Sequence, residues 1–106
     1  METDAGGVQG GILIAPRREN QQALATLDIS AHTRWQKIRE LKTTNFCQLL
    51  ESDKPLEAVA ELHLWVFGVK IRRTEVYIKI QFGEHNDAPV CISFHPSTHK
   101  LKYLFS

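Results

Sequence analysis

Glu75-Val76-Tyr77-Ile78-Lys79-Ile80-Gln81-Phe82 alternates polar and apolar residues without a slip. A period of two is the mark of a β-strand with one buried face. Val76, Ile78, Ile80 and Phe82 fall on one side; Glu75, Tyr77, Lys79 and Gln81 fall on the other. Val90-Cys91-Ile92-Ser93-Phe94-His95 repeats the pattern, with Val90, Ile92 and Phe94 directed to the core and Cys91, Ser93 and His95 directed away. If the two segments pair as neighbours, Tyr77, Lys79, Ser93 and His95 share one surface. Each large apolar side chain gains about 1.5–3 kcal/mol on burial. A one-residue slip would expose the whole apolar set, so the pattern fixes which face is open.

The flanking sequence supplies the other elements. Glu61 to Ile71 reads as a strand, joined to Glu75–Phe82 by a tight turn at Arg72-Arg73-Thr74. Gly83 to Pro89 reads as a polar loop, and Pro96 ends the third strand. Lys100 to Phe105 is a candidate fourth strand, with Leu101, Tyr103 and Phe105 on one face. Upstream the pattern is helical. Gln21, Gln22, Ala23, Leu24 and Ala25 are good helix formers within residues 17–27. Ser30 is placed to cap a helix from Ala31 to about Leu41, with Trp35, Ile38 and Leu41 on one side. Thr44 is placed to cap a second short helix over 45–51 that buries Phe46, Leu49 and Leu50 and is stopped by Ser52-Asp53-Lys54-Pro55. Residues 55–60 are ambiguous. The first sixteen residues are Gly-rich and aperiodic, as expected of a flexible arm. Helices followed by strands predict an α+β fold, with helices packed on one face of a small antiparallel sheet.

Composition narrows the function classes. The chain has 106 residues, 42% of them hydrophobic, which suits one domain with a modest core. No apolar run approaches the ~20 residues of a membrane span. Gly10–Ala15 is too short for a signal-peptide core and follows acidic residues, which argues against secretion and for a cytoplasmic protein. Cys47 and Cys91 match no metal-ligand spacing, and the five histidines show no regular spacing, so neither a metal nor another cofactor is expected. Net charge is +1, yet the basic residues cluster. Arg34, Lys37, Arg39 and Lys42 form one group, Lys70, Arg72 and Arg73 a second, and His99, Lys100 and Lys102 a third. Local patches of this kind can contact phosphates even when net charge is near zero. They also serve plain solubility.

A face holding Tyr, Lys and His can move protons and bind phosphate. Such residues are equally what the wet face of an antiparallel sheet needs. The reaction that fits is RNA cleavage through the substrate's own 2′-hydroxyl. A base removes that proton, a cation stabilises the crowded phosphorane and an acid protonates the 5′-oxygen. A histidine, with an unperturbed pKa near ~6.5, can serve as base or acid. Lysine can stabilise the phosphorane charge, and tyrosine can orient a phosphate oxygen or stack on a base. His99 lies near His95 in sequence and can join the same site. His63, beside Trp65 in a strand, reads as a packed or edge histidine; His85 reads as a solvated loop residue and His32 as part of a helix start.

Three segments carry a family resemblance: Leu64-Trp65-Val66-Phe67-Gly68-Val69, Glu75-Val76-Tyr77-Ile78-Lys79-Ile80 and Val90-Cys91-Ile92-Ser93-Phe94-His95. Together they resemble the C-terminal half of bacterial MqsR-type toxins, within the RelE-like group of messenger-RNA-cleaving toxins. His32-Thr33-Arg34 opening a helix, Leu41 and Asn45-Phe46 follow in the same order, so the resemblance spans roughly residues 31–96. It implies a RelE-like domain over 29–106 preceded by an arm over 1–28. It further implies a metal-independent endoribonuclease, acting as the toxin of a type II toxin–antitoxin pair on messenger RNA, with ribosome association as an option. The family's catalytic tyrosine falls on Tyr77. Its lysine after Ser-Phe is replaced by His95, which can keep an acid–base role. Its helix lysine falls on Gln48, and its glutamine after the Trp falls on Val66; neither carries the usual chemistry. Lys79 then joins His95 and Tyr77 as a catalytic candidate, and Lys70, Arg72, Arg73, His99 and Lys100 are the candidates for binding RNA phosphates. The implied partner is an acidic antitoxin, of helix-turn-helix type, covering Trp65, Phe67 and the Lys70–Arg73 turn or the Tyr77–His95 face. The alternative is a non-catalytic module that binds RNA, a ribosomal surface or a protein through the same face.

Overall fold

The computed structural model describes residues 8–9, 12–51, 63–82 and 89–105. The expected helix stop at Ser52–Pro55, the ambiguous stretch after it, residues 83–88 with His85, and residues 1–7, 10 and 11 lie outside that set. The chain runs β1 (Val8–Gln9), β2 (Ile12–Ile14), α1 (Arg18–Leu27), α2 (Ala31–Arg39), a 3-10 turn (Thr43–Asn45), β3 (Phe46–Glu51), β4 (His63–Ile71), β5 (Thr74–Gln81) and β6 (Val90–Pro96). The strands form one sheet in the order β1-β2-β6-β5-β4-β3, antiparallel except where β2 runs parallel to β6. With α1 and α2 packed on one face, this is an α+β fold.

The β4–β5 hairpin has the longest ladder of the sheet, its register running from Leu64 opposite Gln81 to Ile71 opposite Thr74. Arg72 and Arg73 make the two-residue turn, with φ of 52° and 70°. Positive φ at both central positions matches the right-handed twist of the flanking strands. Val76, Ile78 and Ile80 are buried on the helix-covered face as their alternation dictates. They meet Ala23 and Leu27 of α1 and the flanking Ile29, Trp35, Ile38 and Leu41. Ser30 caps α2, its hydroxyl accepting the Thr33 N–H at 3.1 Å. Phe82, expected in that core, lies past the end of β5, 46% exposed, with its ring edge-on to Trp65.

Four further expectations are corrected. Residues 46–51 form the edge strand β3 and not a helix; Phe46 pairs with Phe67 and Leu49 with Trp65. The N-terminal segment is not an arm throughout. Ile12 is buried, Leu13 N–H donates to Pro89 O and Ala15 N–H donates to Cys91 O, so β2 is built into the sheet. In β6, Lys79 faces Ser93 but Ile80 faces Cys91, which leaves Ile92 as an extra residue. That bulge flips the phase: Cys91 is fully buried among the core residues and Val90 moves to the other side, opposite Gln81. Residues 100–105 are not a ladder strand. They cross the second sheet face as an irregular strap, because the Leu101 N–H is taken by the Glu75 side chain and the Leu104 N–H by Phe46 O.

The edge of β6 beyond β2 is closed by one side chain. Asn20 of α1 donates to Ala15 O and Ile92 O, both at 2.9 Å, and accepts the Phe94 N–H at 2.8 Å. A buried amide with its partners satisfied in this way ties α1 to the bulge.

Candidate functional site

The sheet face opposite the helices is only partly open. Over β3 and β4, Leu101 and Tyr103 of the strap pack on Cys47, Val66 and Leu50. Gly68 lets them approach: a Cβ there would lie 2.5 Å from Tyr103 Oη and 2.6 Å from Leu101 Cδ1. Val66 is therefore core, fully buried under the strap, and Gln48 is exposed beside it on β3. Val66 offers no polar group, and Gln48 offers an amide but no charge.

Over β5 and β6 the face carries the titratable residues. Tyr77 lies opposite His95 in the ladder, and Lys79 lies opposite Ser93. The Tyr77 and His95 rings stack with centroids 5.7 Å apart and planes inclined by 21°. His99, brought in by the strap, meets Tyr77 edge-on at 6.4 Å. Two imidazoles thus meet one phenol on a half-exposed surface. His95 Nδ1 lies 3.0 Å from Pro96 O. A carbonyl can only accept, so Nδ1 carries the proton in the neutral ring and the Nε2 lone pair is left as the basic site. Burial, with a smaller contribution from the Cys47 charge, pushes the Tyr77 phenol above its ordinary range. Tyr77 therefore stays protonated at neutral pH, with its hydroxyl able to donate to a ligand.

The cations are unevenly placed. Lys79 is half-buried on the same face as Tyr77. Lys70 pairs with Glu75 in the ladder, and Lys100 acts on the same carboxylate from the strap. Arg72 and Arg73 project from the hairpin tip, exposed, at the far end of β4 and β5. A shallow cleft of about 200 Å³, lined by Glu19, Gln22, Ala23, Thr26, His95 and Pro96, lies between α1 and the end of β6. His95 thus borders both the sheet face and this cleft.

Sequence reasoning passed over three residues of this surface. Arg17 reaches Ser93 Oγ and Ile92 O, both at 3.4 Å, which helps to explain why Ser93 is only 3% exposed. Glu75 holds the strap, with Oε1 accepting the Leu101 N–H at 2.9 Å and Oε2 accepting the Tyr103 hydroxyl at 2.7 Å. Tyr103 belongs to the strap and not to a strand. No local pattern announces Arg17. The strap's alternation of Leu101, Tyr103 and Phe105 was visible, but its docking onto Glu75 spans more than twenty residues.

Among the described residues no group of three His, Cys, Asp or Glu side chains is arranged to hold a metal ion. None of the described helices is long and apolar enough to cross a membrane. Comparison with known proteins gives no significant match to a family model, a curated protein or a solved structure.

Proposed function

We propose that this chain is an endoribonuclease that cleaves RNA by proton transfer, acting in the cytoplasm as the RelE-like toxin of a type II toxin–antitoxin pair. The observation that carries the reading is the meeting of His95 and His99 with Tyr77 on one sheet face, with Lys79 on that face. His95 Nε2 takes the proton of the substrate 2′-hydroxyl. The 2′-oxygen bonds to phosphorus, and the bond from phosphorus to the 5′-oxygen breaks. His99 in its protonated form gives its proton to that departing oxygen. The products are a 2′,3′-cyclic phosphate and a 5′-hydroxyl. Tyr77 donates to a phosphate oxygen, and Lys79 and Lys100 offset the added charge of the phosphorane. Arg72 and Arg73 at the hairpin tip hold the strand farther along.

The antitoxin of this reading has a surface to cover. Leu49, Trp65, Phe82, Leu104 and Phe105 are all exposed and lie about the β3–β4 edge. A small helix-turn-helix partner with an acidic extension would bury a standard interface of about 1,200–2,000 Å² there or on the Tyr77–His95 face.

A second reading, a non-catalytic RNA- or protein-binding module, is favoured by Gln48 and Val66, which leave two of the family's four polar positions without function. Induction of the chain in bacteria separates the two. The enzyme reading expects growth arrest with shortened messenger RNA, abolished by His95→Ala. Normal growth with intact transcripts at high levels of folded protein would refute it.

A further inference from the structure

We propose that Glu75 is a positioning residue: it latches the C-terminal strap across the sheet and thereby brings His99 to Tyr77. The functional consequence rests on the ribonuclease reading; the latch itself does not. Both carboxylate oxygens are committed to the strap, one to the Leu101 N–H and one to the Tyr103 hydroxyl. Its own backbone joins in, because Glu75 O accepts the Ser97 N–H at 2.8 Å. Residues 97, 101 and 103 are thus tied to one position of β5. His99 lies between these ties, and its ring packs edge-on against Tyr77, two residues along the same face. Within the strap, Ser97 Oγ accepts the His99 N–H at 3.3 Å, which fixes the turn that presents the ring. The strap ends by wrapping the sheet edge, where Phe105 stacks on Phe46 with centroids 6.1 Å apart.

Charge strengthens the latch. The titratable groups acting on the carboxylate are Lys70 from β4, Cys47 from β3, and Lys100 and Tyr103 from the strap; Tyr77 follows on the same face, with His95 and His99 against its ring. The Leu101 N–H above all, then the Tyr103 hydroxyl, hold the Glu75 carboxyl below its ordinary range; slight burial opposes them and the two lysines add to them. The sign follows directly. A carboxyl with a depressed folded pKa gives stability that is full above its unfolded value of about 4.3 and is lost as pH falls through the lower folded value. The strap is closed at neutral pH and loosens in acid.

The test uses the full chain and nuclear magnetic resonance, read at the Leu101 amide and at the Tyr77–His99 ring contact. At about pH 7, Glu75→Ala should lower Leu101 exchange protection by about tenfold or more and abolish the ring contact. Glu75→Gln keeps an oxygen for the Leu101 N–H but loses the charge, so at about pH 7 it should protect Leu101 more than Glu75→Ala and less than the parent, and its protection factor should not fall further at about pH 3.5 as the parent's does. Unchanged protection and ring contact in Glu75→Ala would overturn the latch, as would a parent-like acid response in Glu75→Gln. RNA cleavage is followed in parallel. If the parent cleaves, Glu75→Ala should lose kcat to the same degree as His99→Ala, and Glu75→Gln should restore it in part; full activity in Glu75→Ala would overturn the positioning role. A parent that does not cleave refutes the ribonuclease reading and leaves the latch to be decided by the exchange data.

Discussion

Replacing Gly68 by alanine probes the packing of strap on sheet with a single methyl group. Gly68 sits mid-strand, opposite Tyr77, in a conformation that any L-residue can adopt. Without the strap, the change should be neutral or stabilising, by about 0.5–1 kcal/mol, because glycine loses more backbone freedom on folding than alanine. With the strap in place the new Cβ would stand 2.5 Å from Tyr103 Oη, 2.6 Å from Leu101 Cδ1 and 2.9 Å from Tyr103 Cε1. All three atoms belong to side chains, so the strap yields and the strand does not. Moving the Tyr103 ring breaks its bond to Glu75, worth about 1 kcal/mol at a half-exposed carboxylate. Partial uncovering of Leu101, which is 6% exposed, adds up to about 1.5 kcal/mol. The expected net loss is at most about 2 kcal/mol, in the lower part of the range for overpacking. Urea denaturation of Gly68→Ala, of Tyr103→Ala and of the double variant measures it as a cycle. Destabilisation in the parent that shrinks or reverses in the Tyr103→Ala background supports the account. An equal loss in both backgrounds would show that the methyl does not act through Tyr103 and its bond to Glu75, and would refute the reasoning.

Further predictions follow from the other buried groups. Asn20→Ala strands the Phe94 N–H, leaves Ile92 O with only the 3.4 Å contact to Arg17, and should cost about 1–3 kcal/mol in denaturation. Removing residues 1–16 deletes β2 with buried Ile12 and should lower stability by at least the ~1.5–3 kcal/mol of that side chain, whereas a dispensable arm would leave the midpoint unchanged. Burial pushes the Cys91 thiol up to about 12, against a partly opposing charge from Arg34, so alkylating reagents at mildly alkaline pH should modify it only on unfolding. An unfolded thiol ionises near ~8.5 while the folded one stays protonated, so stability should fall as pH rises above that value.

The hairpin that anchors the fold was legible because β4 and β5 pair locally and β5 alternates cleanly. Ser30 and the helix it caps were legible for the same reason: the signal sits within four residues. The two bulges hid the rest. In β3, the register irregularity at Cys47 puts Phe46 and Leu49 on the same side, and a three-residue spacing between apolar residues imitates a helix. In β6, Ile92 interrupts a pattern that looked continuous, so Cys91 was placed outside when it is core. β2 is three residues long and owes its place to β6, more than seventy residues away, so nothing local marks it. The cluster of Tyr77 and His95 could be anticipated from alternation on both strands, since the ladder sets them opposite each other beyond the bulge. That the strap covers Val66 and delivers His99 depends on Gly68 and Glu75, whose partners are far along the chain.

The most direct test of the central claim is the chemistry at the cut ends. Purified chain is incubated with single-stranded RNA in excess chelator, and the fragments are analysed by mass spectrometry. The account predicts 2′,3′-cyclic phosphate and 5′-hydroxyl ends, with the rate falling about 10²–10⁴-fold in folded His95→Ala. Intact RNA, or cleavage that persists undiminished in folded His95→Ala, would contradict it.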